Sequence, residues 1–131
     1  MRLFLFTGFL IAGICLFAGD TTRIKGAKPK FLYGTASFYS NTFNGKKTAN
    51  GEIYSHKKMT AACNVLPLGT WIRVTNLRNG KSVVVKTNDR LHTRMKRVVD
   101  LSREAAEKLG YVKSGLTRVR VEVIGKKKPE K

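Results

Sequence analysis

Acidic residues are scarce in this sequence. Eight Asp and Glu stand against 26 Lys and Arg, a formal net charge of +18 over 131 residues. That balance excludes an acidic surface and favours polyanionic partners: nucleic acid, anionic lipid head groups or acidic wall polymers. Cysteine is scarcer still, with Cys15 and Cys63 alone. Cys15 falls in an N-terminal apolar run, so no disulfide can close within the rest of the chain and the fold must rest on packing. A lone Cys63 is expected as a small buried residue rather than a nucleophile. His56 and His92 are scattered relative to Cys63 without ligand spacing, and no glycine-rich run has phosphate-cradling spacing. No metal and no cofactor is expected.

Long uncharged stretches are equally few. Leu3 to Phe17 carries no charge, follows Arg2 and precedes the small residues Ala18 and Gly19. The run is shorter than the roughly 20 apolar residues of a comfortable membrane span. Residues 1–19 are therefore expected to be an export signal, with an uncleaved anchor as the alternative. Export to the periplasm or cell envelope argues against nucleic acid as a partner and for electrostatic contact with an anionic envelope surface. Residues 20–32, polar and basic with Gly26 and Pro29, are expected to be a linker. Residues 125–131 are expected to be a basic tail. One folded unit is left, 33–124, expected to be monomeric.

Within that unit the patterns are mostly those of strands. Tyr33 to Tyr39 is a short aromatic-rich run. Trp71 to Thr75 alternates, Asn79-Gly80 is a strong hairpin signal, and Ser82 to Val85 follows. Val119, Val121 and Val123 alternate with Arg118, Arg120 and Glu122, giving one core face and one wet face. A single helix interrupts, with Ser102 as N-cap, Glu104 in the first turn, and Gly110 as a left-handed stop. Its apolar contacts are Leu101, Ala105, Ala106 and Leu109. This pattern predicts a small, closed, mainly β barrel.

The turns become specific when read with their polar residues. In order they give G-x-A-S-x-Y from Gly34, T-A-N-G-E from Thr48, T-A-A-x from Thr60 and L-P-L-G-T from Leu66. V-x-N-x-x-N-G from Val74, N-D-R from Asn88 and D-L-S-x-x-A-A-x-x-L-G from Asp100 complete the series. The series resembles the RlpA (rare lipoprotein A) family over residues 33–124. The resemblance implies a six-stranded double-psi β-barrel with one or two short helices, similar to the barrel of expansins. It also implies an endolytic lytic transglycosylase whose partner is peptidoglycan glycan strands, with a preference for strands stripped of stem peptides. Such enzymes cut the β-1,4 bond between N-acetylmuramic acid and N-acetylglucosamine without water. The muramic C6 hydroxyl attacks its own anomeric carbon and leaves a 1,6-anhydro end. One carboxyl can serve in turn as acid and base.

Most acidic residues have structural explanations. Asp20 and Glu130 lie in tails, Glu104 and Glu107 on the helix, and Glu122 on the wet face of a strand. Asp100 is expected to cap or brace the helix. Asp89 and Glu52 remain, and both match acidic positions that the family uses in its groove. Asp89 is expected as the acid/base, with Glu52 as a catalytic partner that steers its charge or holds a sugar hydroxyl. Tyr39 is the expected sugar platform, flanked by Phe38, Phe43 and Tyr54. Asn50, Asn88 and Arg90 are the other expected substrate-binding residues. Two positions depart from the family pattern: Ser55 stands where an Asp is usual, and Cys63 where a His is usual. His56 is displaced from that site by seven residues, and His92 is expected to be solvent-exposed. The departures favour a second reading, a non-catalytic, expansin-like wall-binding barrel that uses the same groove.

Overall fold

The computed structural model describes residues 30–130; the expected signal, most of the expected linker and Lys131 lie outside them. Six strands form, β1 (Lys30–Phe38), β2 (Thr60–Ala62), β3 (Trp71–Asn76), β4 (Ser82–Asp89), β5 (Val99–Leu101) and β6 (Thr117–Gly125). They close into one barrel in the order β1-β5-β2-β4-β3-β6. Two pairs are parallel, β1 with β5 and β2 with β4, and the rest are antiparallel. Among the described residues one helix, α1 (Arg103–Leu109), and a single 3-10 turn at Asn41–Phe43 accompany them. This is the expected closed, mainly β architecture.

Alternation decides which side chains fill the barrel. Ile72 and Val74 on β3, Val83 and Val85 on β4, and Val119 and Val121 on β6 point inward and are buried. Val99 and Leu101 on β5 and Ala36 on β1 complete the lining. Burying each large aliphatic side chain contributes about 1.5–3 kcal/mol, which a chain without a disulfide depends on. α1 closes one side of the core with Ala105, Ala106 and Leu109. Its ends form as the sequence predicts: the Ser102 side chain accepts from the Ala105 N–H, and Gly110 stops the helix at φ 80°. Cys63 is fully buried in the same core, as expected.

Two differences from the sequence reading concern length. β1 begins at Lys30, inside the expected linker, because Lys30, Phe31 and Leu32 pair with Val123, Glu122 and Val121 of β6. Ladder hydrogen bonds recruit those residues whatever their polarity. β2 and β5, at three residues each, have no sequence signal because three positions cannot establish a period.

β1 and the chain entering β5 approach closely at Gly34. A Cβ there would lie 2.9 Å from the Cβ of Val98, whose N–H donates to the Thr35 carbonyl. Gly34→Ala should therefore lower unfolding free energy by about 1–3 kcal/mol through overpacking, read as a reduced urea midpoint. A midpoint equal to wild type would show that Val98 withdraws at no cost.

Candidate active site

β4 contains one residue too many for its partner β2. Thr60 pairs with Lys86 and Ala61 with Thr87, but Ala62 pairs with Asp89, so the register shifts at Asn88. Regular alternation would put Thr87 and Asp89 on one face. Thr87 does point inward, fully buried, with its hydroxyl donating to the Pro67 carbonyl at 3.1 Å. The extra residue turns Asp89 the other way, as bulges beside functional sites commonly do.

The barrel order then builds a row. Ala62 also pairs with Asp100 of β5, and Asp100 pairs with Ser37 of β1. Ser37, Asp100, Ala62 and Asp89 line one open pocket of about 500 Å³. The two carboxylates stand two strands apart, about 10 Å between backbones, with only an Ala methyl between them. One wall adds Tyr39 and Phe43; the other is the segment after β4, with Arg90, His92, Met95 and Arg97.

Every oxygen of Asp89 is engaged. Oδ1 accepts from the N–H groups of Ala49 at 2.9 Å and Arg90 at 2.8 Å. Oδ2 accepts from the Tyr39 hydroxyl at 2.7 Å. Burial, and then the Asp89 bond and charge, push the Tyr39 phenol far above its ordinary pKa, so it stays a donor. Asp100 receives two bonds from Arg97, at 2.8 and 3.0 Å. Ser102 caps the helix as the sequence predicts, and Asp100, which the sequence assigns to capping or bracing α1, faces the pocket. The sequence signal for it was the D-L-S block, whose Ser explained the helix start without the Asp.

The structure gives other expected residues different posts. The Tyr39 ring, the expected sugar platform, is packed: it is 8% exposed, stacked 4.2 Å from Tyr54 at 12°, with Phe43 edge-on. Its hydroxyl is what reaches the site. Phe43, 47% exposed on the pocket wall with Lys46 Nζ 5.8 Å over its ring, is the more open aromatic. Glu52 is outside the pocket wall. Its Oε1 accepts from the Asn88 side-chain amide at 2.9 Å, and Lys86 Nζ lies 3.8 Å from Oε2. The Asn88 bond is the main cause that holds the Glu52 carboxyl below its usual pKa, against a smaller opposing effect of burial.

Asn88 is 2% exposed, and its Oδ1 is buried without a partner among the described residues. Glu52 thus compensates the burial of that amide. Asn50 shapes the turn that delivers Glu52: its Oδ1 accepts from the Thr48 hydroxyl at 2.7 Å and the Glu52 N–H at 3.0 Å. Its own N–H donates to the Asn88 carbonyl at 3.2 Å. Arg90 is exposed on the pocket wall, but its Nη1 donates to the carbonyls of Cys63 and Leu66, bracing that loop.

The remaining polar candidates lie apart. His56 sits behind the aromatic stack, its Nδ1 2.8 Å from the Tyr54 hydroxyl and its Nε2 3.0 Å from Asn41 Oδ1. Ser55 accepts a turn hydrogen bond from the Lys57 N–H. His92 is exposed on the pocket rim. Among the described residues no group of His, Cys, Asp and Glu is arranged to hold a metal ion.

Comparison with known proteins accords with this geometry. The chain is 55% identical over 101 residues to an endolytic peptidoglycan transglycosylase RlpA of Pseudomonas aeruginosa. The match covers 77% of this chain and 30% of that relative, so the chain spans under a third of its length. Among solved structures, a Streptomyces papain inhibitor superposes with a TM-score of 0.60 at 18% identity, covering 72% of this chain and 94% of that one. Clavibacter michiganensis expansin superposes with a TM-score of 0.60 at 21% identity, covering 78% and 53%. These two share the fold. A family model described as lytic transglycolase matches residues 32–121, and with the RlpA identity it places the chain in the RlpA-type, double-psi-barrel lytic transglycosylase family.

Proposed function

We propose that the domain is an exported, monomeric, endolytic lytic transglycosylase that cuts the muramic acid–glucosamine β-1,4 bond of peptidoglycan strands and leaves 1,6-anhydro ends. The observation that carries this reading is the bulge at Asn88, which turns Asp89 into a pocket it shares with Asp100. Oδ1 of Asp89 is saturated by two backbone amides, whereas Oδ2 holds only the Tyr39 hydroxyl. Oδ2 is thus the oxygen for proton exchange. As acid and then base, Asp89 passes one proton to the departing glucosamine oxygen and takes up the proton of the attacking C6 hydroxyl, so it ends as it began. Asp100, across Ala62, is placed to stabilise positive charge developing at the anomeric carbon. Phe43 supplies a face on which the apolar side of a sugar ring can rest.

Asp89→Asn should lower anhydro-product formation by about 10²–10⁴-fold while glycan binding persists, as read by mass spectrometry of digested strands. One observation favours the wall-binding reading: the sulfur of Cys63 is in the core and Ser55 serves a turn, so the groove lacks two polar groups of the family pattern. If wild type and Asp89→Asn bind strands alike and neither yields product, that reading replaces the enzymatic one.

Glu52 acts in this scheme as a positioning residue, holding the bulge through Asn88. Glu52→Gln keeps an acceptor for the Asn88 amide and should retain most turnover, whereas Glu52→Ala should lose about tenfold or more in kcat. The lowered Glu52 pKa means the clamp adds stability at neutral pH and surrenders it as pH falls through that lowered value. The Gln variant should lack that acidic loss. Equal damage from Gln and Ala would return Glu52 to a charge-based role.

The cationic surface adds a second, longer-range attraction to the envelope. Raising salt from about 0.1 M to about 1 M shortens the screening length from about 10 Å to about 3 Å. Retention on whole sacculi should fall strongly across that range. Unchanged retention would assign binding to the groove alone.

A further inference from the structure

The outer face of β1 leads out of the pocket. Leu32, Ala36 and Phe38 pack on the core, so Phe31, Tyr33, Thr35 and Ser37 share the opposite face. Ser37 is part of the pocket wall, and Tyr33 lies four residues back, about 13 Å along the strand. Tyr33 is 61% exposed and Phe31 42%, two large aromatics side by side in solvent. Neither is needed by the core.

The neighbouring strand supplies donors beside them. Tyr33 pairs with Arg120 and Thr35 with Arg118 across the β1–β6 ladder. The Arg120 guanidinium lies 5.4 Å over the Phe31 ring, and its Nε is buried without an acceptor among the described residues. Arg118 reaches the Thr35 hydroxyl at 3.4 Å. Among the described residues neither Arg meets a carboxylate, whereas Arg73 on the next strand is spent on Glu122 at 3.0 Å. Two guanidiniums with no carboxylate partner among the described residues thus frame an exposed aromatic ledge on the strand that carries Ser37 of the pocket.

We infer that this ledge is a second glycan subsite, which takes the length of strand leaving the pocket. A pyranose lies on Tyr33 through its C–H face, and Arg118 and Arg120 donate to its hydroxyls or to the muramyl carboxylate. The inference rests on the glycan reading of the pocket. It adds to that reading a direction for the strand, along β1 from Ser37 toward Phe31, and a dependence of affinity on strand length.

The test uses the full chain carrying Asp89→Asn, so that bound strands stay whole. Affinity is measured for long glycan strands and for a single disaccharide unit that fills the pocket alone. Adding Tyr33→Ala should weaken long strands about tenfold and leave the disaccharide unchanged, with Tyr33→Phe restoring long-strand affinity. Because Tyr33 is exposed, the fold does not depend on it. Arg118→Gln should act in the same direction. Long-strand affinity that survives Tyr33→Ala overturns the inference, and a concurrent loss of binding to phosphatidylglycerol vesicles would assign the ledge to lipid instead. An Asp89→Asn protein that binds neither ligand overturns the pocket reading itself, and this one with it.

Discussion

A β-strand offers its side chains to alternate faces, so Thr87 and Asp89 belong by default on the same side of β4. Thr87 fills the interior and cannot leave it. The carboxylate reaches the groove because Asn88 is inserted between them as a bulge, and the site depends on that insertion staying in place. Three of the contacts that hold it come from the turn at residues 48–52. The Asn50 N–H bonds the Asn88 carbonyl, Glu52 accepts from the Asn88 amide, and the Ala49 N–H bonds Asp89 itself. A turn more than 35 positions earlier in the chain is therefore part of the architecture of Asp89. Its acidic residue serves that architecture rather than facing the pocket.

The second constraint is closure without a covalent staple. Cys63 has no partner among the described residues, so stability comes from the aliphatic lining of a barrel whose strands are nearly all distant in sequence. Closure also removes free edges, which suits a small β domain. Placing β5 and β2 between β1 and β4 is what aligns Ser37, Asp100, Ala62 and Asp89 in one row. The small residue in the middle matters as much as the acids, because a larger side chain at Ala62 would fill the space between them.

Fold and activity separate clearly in this architecture. A papain inhibitor and an expansin share the barrel at about 20% identity, so the barrel by itself selects no chemistry. Within this chain several charges are committed in pairs. Arg97 is spent on Asp100, Arg73 on Glu122 and Arg103 on Glu107, each within hydrogen-bonding reach. With 26 cations and eight acids, most basic groups must still face solvent. The surface is therefore strongly cationic, while Asp89 and Asp100 put two acids in the pocket.

The sequence by itself determined the β-rich class, the hairpin at Asn79-Gly80, the caps of α1 and the burial of Cys63, because each follows from local pattern or composition. It also singled out Asp89, through the N-D-R block that ends a Val-rich run. It assigned Tyr39 a ring contact and Glu52 a groove position, and left Asp100 to the helix. Only the tertiary structure decided those three. Whether a tyrosine shows its ring or its hydroxyl depends on Tyr54, fifteen positions on, stacking against it. Whether Glu52 or Asp100 faces Asp89 depends on a one-residue register shift between two parallel strands and on which strand lies beside β2. Local periodicity carries no information on either, since register and strand order are set by closing the barrel around its core.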